Sequence, residues 1–307
     1  MNRLALLLTV VCMDPLQTPA PITAAAFAPD GTNVVLGSQG GVQIRSWPEL
    51  KVTKTLSADL VNIHDLSFAP DGKSLLIAGG TPADAGLVEI LGWPNGKPIR
   101  RIGGHRDVVY CVAWSPDGTQ WVTASADGRC QVFSSSSGER LACYEGHSRA
   151  VLAVAYLPDG KTIASAGVDQ TLRLWDGATG KHVRTLDNHV DAVNGLAVRP
   201  TGVDSPLPIV VTVSEDRTVR IWQPSIGRLM RFARLPSIPR AVAWSAKGNH
   251  LYVGCNDGQV RILDFTTMEI VKSIEGLDGR IHELLVDPST QRLLAAGQSG
   301  VRQLELE

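Results

Sequence analysis

The chain has 307 residues, of which 44% are hydrophobic, 19% charged and 5% aromatic. Twenty-nine Lys and Arg against 30 Asp and Glu leave a net charge of −1, which argues against holding nucleic acid or a membrane by bulk electrostatics. The apolar share excludes a disordered chain, no apolar run reaches the roughly 18–20 residues that span a bilayer, and 30 Gly with 18 Pro suit many short strands better than long helices.

Arg3 and the apolar stretch Leu4–Cys12 come first. They have the basic start and apolar length of a secretory signal. The small-residue site Thr18-Pro19-Ala20 is followed by an unfavourable Pro21, and Val10-Val11 does not suit a lipoprotein site at Cys12. Leu4–Val11 is also long enough for one strand. From residue 21 onward a turn recurs after a short apolar run: Pro29-Asp30-Gly31, Pro70-Asp71-Gly72, Pro116-Asp117-Gly118 and Pro158-Asp159-Gly160. Weaker copies follow at Pro200-Thr201-Gly202, Ala246-Lys247-Gly248 and Asp287-Pro288-Ser289. Successive turns are 41–46 residues apart, the period of a four-stranded blade.

The fifth copy shows the pattern within a unit. Residues 193–198 precede the turn and 209–213 follow it. After Glu215-Asp216-Arg217 comes Thr218–Trp222, and Pro224–Gly227 leads into Arg228–Arg234. Short Val- and Ile-rich runs between Gly, Asp and Pro read as strands. Four of them make an antiparallel meander that cannot bury both faces alone, so neighbours must stack around an axis. The expected fold is all-β, a seven-bladed propeller of four-stranded antiparallel blades. Insertions at Thr81–Gly86 and Val203–Pro208 are expected to lengthen two turns.

The chain resembles the WD40 family, most clearly in copy four: Gly146-His147, Pro158-Asp159-Gly160, Asp169 and Leu174-Trp175-Asp176. The resemblance implies a hydrogen-bonded tetrad in each complete blade. Carried over by spacing, the sets are His147, Ser165, Asp169 and Trp175, then His189, Thr212, Asp216 and Trp222. Copy three supplies His105, Thr123 and Asp127, with Phe133 in place of the tryptophan. Copies one, two, six and seven lack most of the set, and Trp47-Pro48 and Trp93-Pro94 lie just beyond the usual Trp position. The repetition of these His–Asp pairs marks them as structural and not catalytic. The resemblance also implies a partner-binding rim five residues after each tetrad His: Thr23, His64, Tyr110, Leu152, Asn194, Arg240 and His282.

The last copy has strands at 281–286, 292–296 and 300–305 and lacks a fourth. Residues 1–20 therefore carry two readings, a cleaved leader or a strand that closes the ring, with 21–307 as the propeller. Similar bacterial proteins often carry an export signal, so export to the periplasm is preferred over a cytoplasmic location.

No reaction is assigned. Gly72-Lys73-Ser74 and Gly160-Lys161-Thr162 lack the upstream glycine of a phosphate loop, with Ser67 and Ala155 in its place. Cys12, Cys111, Cys130, Cys143 and Cys255 form no Cys-x-x-Cys pair, and no cofactor or metal is expected. Arg228, Arg231 and Arg234, followed by Arg240, read first as charge protecting an outer edge, and second as a contact for an acidic partner. The expected function is a non-catalytic scaffold that is monomeric by itself and binds a protein or peptide, without nucleic acid. The alternatives are a structural subunit of an exported assembly beside redox proteins, and an enzyme using the central channel.

Overall fold

The Pro-Asp-Gly turns reverse the chain between the first and second strand of a blade. Each aspartate accepts the amide two residues on: Asp30 from Thr32 at 2.8 Å, Asp71 from Lys73 at 2.9 Å, Asp117 from Thr119 at 3.0 Å and Asp159 from Lys161 at 2.9 Å. The glycine that follows has φ between +66° and +70° in all four, a region that a residue without Cβ enters freely.

A computed structural model describes residues 20–200, 207–287, 289–290 and 292–306. Among the described residues, strands β1 (Ile22–Phe27) to β27 (Gly300–Glu305) form seven antiparallel sheets. Six have four strands in sequential order, and the seventh has three, β25 (Ile281–Val286), β26 (Arg292–Gly297) and β27. The first strands stand side by side in a closed ring: β1, β5 (Asp65–Phe68), β9 (Val109–Trp114), β13 (Val151–Tyr156), β17 (Val193–Val198), β21 (Pro239–Trp244) and β25. The molecule is a seven-bladed β-propeller with these strands around an axial channel.

No blade has a core of its own. The buried apolar residues fall into seven layers, and each layer joins two neighbouring blades. Between blades three and four, for instance, Val122, Val132 and Tyr144 meet Val151, Ile163 and Trp175. Burial that exists only between units makes the stability a property of the stack. The ring closes where Ile22, Val34 and Leu36 of blade one pack on Leu294 and Ala296 of blade seven. There Trp47 Nε1 donates to Asp287 Oδ2 at 2.7 Å, across 240 residues of sequence.

The insertion Thr81–Gly86 does not form a longer loop. Its ends extend two strands into eight-residue partners, β6 (Ser74–Thr81) and β7 (Ala85–Gly92), with Thr81 opposite Ala85 and Gly80 opposite Gly86. A continuing ladder satisfies backbone groups that a loop would leave to water. Residues 201–206, which include most of the second insertion, lie outside the described residues, as does the stretch Leu4–Val11. No described helix is long and apolar enough to cross a membrane.

Candidate protein-binding face

The polar groups at the top of blades three to five are positioned by a short loop and two strands. In blade four, His147 stands just before β13. Its Nδ1 lies 2.9 Å from Asp169 and its Nε2 2.8 Å from Ser165, while Trp175 Nε1 donates to Ser165 at 3.1 Å. Blade five repeats this with His189 at 2.8 Å from both Asp216 and Thr212, and with Trp222 Nε1 donating to Thr212 at 2.8 Å. In blade three, His105 bridges Asp127 at 2.9 Å and Thr123 at 2.7 Å, and Phe133 supplies no donor. Trp121 stacks on Phe133 at 4.3 Å, but its buried Nε1 has no hydrogen-bond partner and does not join the network.

The aspartates also hold the turn after the second strand. Asp216 accepts the amides of Thr218 at 2.9 Å and Val190 at 3.2 Å. Burial raises the pKa of such a carboxyl. Hydrogen bonds outweigh it: His105 and two amides hold Asp127 at about 2, His147 and Thr171 hold Asp169 at about 2, and Thr218 and His189 hold Asp216 at about 2. Ser165 and Thr212 are fully buried, so their hydroxyls are out of reach of a substrate.

The seven rim residues gather at one mouth of the channel. Six of them, Thr23, Tyr110, Leu152, Asn194, Arg240 and His282, are the unpaired extra residue where the first strand bulges against the second. His64 lies just ahead of β5. A bulge re-aims a side chain out of the ladder, which turns one residue of each inner strand to the mouth. All seven are half-buried. They meet in neighbouring groups. Thr23 Oγ1 donates to the Ile63 carbonyl, and His64 and Tyr110 form an edge contact at 5.0 Å. Asn194 Nδ2 donates to the Pro239 carbonyl at 2.9 Å, and Arg240 reaches Asn194 at 3.3 Å, Asn256 at 2.8 Å and the carboxylate of Glu215. Burial pushes His64 below its ordinary value; burial, Arg240 and Arg280 do the same to His282. Both imidazoles therefore favour the neutral form at neutral pH.

One residue further along each inner strand is a second layer: Ala24, Asp65, Cys111, Ala153, Gly195, Ala241 and Glu283. The alternating Val and Ala of these strands suggests an apolar channel, yet the layer holds two carboxyls. Asp65 accepts the Val112 amide at 2.8 Å, which caps an inner-strand donor that has no ladder partner. Asp65 and Glu283 are both half-buried. Burial pushes Asp65 up to about 6; burial and the charge of Asp65 push Glu283 up to about 8. The described residues contain no cluster of three metal-ligating side chains.

Outer-strand cations serve a structural purpose that their spacing did not reveal. Lys54 reaches the Asn95 carbonyl at 3.1 Å, Arg100 the Ser136 carbonyl at 3.5 Å and Arg231 the Phe265 carbonyl at 3.3 Å. Each ties its blade to the turn of the next. Arg231 also lies over the Phe265 ring at 5.8 Å. Cys111, Cys130, Cys143 and Cys255 are free thiols.

Seven meanders stacked through apolar layers, three of them carrying buried His–Asp networks, define a repeat propeller. The WD domain, G-beta repeat profile matches residues 96–134, 138–176 and 180–223, and the Anaphase-promoting complex subunit 4 WD40 domain profile matches 209–285. The chain belongs to the WD40-repeat family. It is 36% identical over 74 residues to Intraflagellar transport protein 122 homolog of Xenopus tropicalis, covering 24% of this chain and 6% of that protein. It is 30% identical over 126 residues to Telomerase protein component 1 of Mus musculus, covering 41% and 5%, and 29% identical over 132 residues to Coronin-7 of Pongo abelii, covering 40% and 14%. The matched segments thus span a small part of these much longer relatives.

Proposed function

We propose that the chain is a non-catalytic scaffold that binds a protein or peptide at the channel mouth. One observation carries this reading: six rim residues sit on β-bulges that turn them to the same opening. Tyr110 and Arg240 belong to the residue types that dominate binding hot spots, and half-burial limits the entropy they lose on contact. The polar groups that resemble catalytic dyads are spent on the fold. The near-neutral net charge favours a protein partner over nucleic acid. Residues 1–20 act as a leader or complete blade seven; the mass of the mature N-terminus separates the two.

The test is a displayed peptide library panned on the whole protein. Peptides enriched on the wild type should lose about tenfold in affinity for Tyr110→Ala and for His64→Ala, with the melting temperature retained. Equal affinity for both variants overturns this placement of the site.

A further inference from the structure

The upper outer corner of blade five departs from the repeat. The residue after the tetrad histidine donates its amide to the tetrad aspartate in three blades: Arg106, Ser148 and Val190. Two of these are polar; Val190 is 72% exposed. The outer-strand residue opposite the third-strand position Gln131, Arg173 or Arg220 is Cys143, Thr185 or Phe232. In blades one, two and six it is Thr55, Arg101 and Ser273. Phe232 stands 57% exposed where the other blades carry small or charged side chains, and it is the one aromatic among the exposed large hydrophobics of the described residues.

Phe232 lies against a fixed cation whose aspartate also accepts the Val190 amide. Arg220 donates from Nε to Thr218 at 3.1 Å, lies 3.8 Å from Asp216 and sits 5.5 Å from the Phe232 ring. Arg234, opposite Thr218, lies on the same face as Phe232 and is exposed. Strand β20 (Arg228–Arg234) carries three arginines and no acid. Arg231 is tied to blade six, which leaves Arg228 and Arg234 on the surface. Edge protection accounts for arginines on an outer strand. It does not account for a phenylalanine held open among them, because an exposed apolar group on an edge invites the pairing that charge resists.

We propose that this corner of blade five docks an acidic peptide segment whose apolar side chain packs against Phe232 and Val190 while its carboxylates meet Arg234. Burying an aromatic beside arginine, with opposite charge around it, is the composition of a hot spot. The site is separate from the channel mouth and does not rest on it.

The probe is a fluorescein-labelled peptide of two Glu-Asp-Leu-Glu-Phe-Asp repeats, followed by anisotropy on the full chain. A lysine-substituted peptide and a single-stranded oligonucleotide of equal charge are run beside it. The acidic peptide should bind, weaken with salt, and lose about tenfold in affinity to Arg234→Glu, about fivefold to Phe232→Ser and roughly twofold to Val190→Ser. Melting temperatures should hold, because these side chains are exposed, and Tyr110→Ala should leave binding unchanged. Absent binding overturns the proposal, and so does equal affinity for Phe232→Ser and Arg234→Glu. Tighter binding of the oligonucleotide, lost in the same variants, overturns it in favour of nucleic acid.

Discussion

Blades five and six solve the same position in opposite ways. In blade five His189 links Asp216 to Thr212, and Trp222 donates to Thr212. Blade six has no histidine before β21, and Val253 and Leu263 stand where the hydroxyl and the indole would be. Its turn aspartate, Asp257, persists and accepts the Gln259 amide at 3.3 Å. The partner changes: Arg261, 6% exposed, grips Asp257 with two bonds of 3.1 and 2.6 Å. The equivalent Arg220 only approaches its aspartate, at 3.8 Å. The acid is retained because it holds the turn, and the cation facing it can be exchanged. The hydroxyl accompanies each buried histidine, in blade three without an indole donor beside it.

The largest effect should come from removing the indole. Trp222→Ala deletes a fully buried ring and a bond to Thr212, and should cost about 4–5 kcal/mol by urea unfolding. Leu263→Ala, at the same position in blade six, should cost about 2–4 kcal/mol. Equal losses would show that the polar network contributes nothing beyond packing. Next is Asp257→Ala, which strands the buried Arg261 and should cost about 3 kcal/mol. Asp257→Ala combined with Arg261→Leu should recover most of that loss. If the double variant is no better than the single one, the aspartate acts through the turn alone.

Titration separates the networks from the channel. Asp127, Asp169 and Asp216 are held at about 2, below their ordinary value of 3.8. Their contribution is complete above 3.8 and is lost as pH falls towards 2. His189 is lowered, mainly by burial, so the folded state also loses stability as pH drops below the histidine's ordinary 6.5. Glu283 has the opposite sign. Its pKa is raised from 4.5 to about 8, so its ionisation works against folding as pH rises through that window. Glu283→Gln should therefore stabilise the protein by on the order of 2 kcal/mol at pH 9 and leave it unchanged at pH 4. Equal melting temperatures at pH 9 would mean that channel water solvates the carboxylate fully.

Different parts of this fold were written in the sequence at different ranges. The turn and tetrad residues of blades three to five recur at fixed spacing, because each network lies within about one repeat, and so His147, Ser165, Asp169 and Trp175 could be read directly. Asp65 and Glu283 occupy an aligned layer one residue past the rim. The Val and Ala of the strands around them read as an apolar lining, although the alignment that yields His64 and His282 also places these two carboxyls. The cationic ties of Lys54, Arg100 and Arg231 end on backbone carbonyls, which no side-chain pattern records. Thr81–Gly86 reads as a loop because Pro and Gly punctuate it, yet the ladder continues through its ends.

The seam between blades seven and one tests the comparison at its finest. Trp47 and Trp93 share a position in the repeat, and each meets a phenylalanine edge-on, Phe27 at 5.0 Å and Phe68 at 4.9 Å. Trp47 additionally donates to Asp287, whose carboxyl is buried but held well below the usual range by bonds from Thr290, Trp47 and Ser289. Trp47→Phe keeps the ring contact and removes that one donor. It should cost about 1 kcal/mol, because Ser289 and Thr290 continue to satisfy the carboxylate. Trp93→Phe should lose less, and the difference between the two in urea midpoint measures what the single bond adds to closure. A seam that gains from this bond should show the Trp47→Phe deficit shrinking as pH falls through the Asp287 titration. A deficit that ignores pH would assign the whole effect to packing.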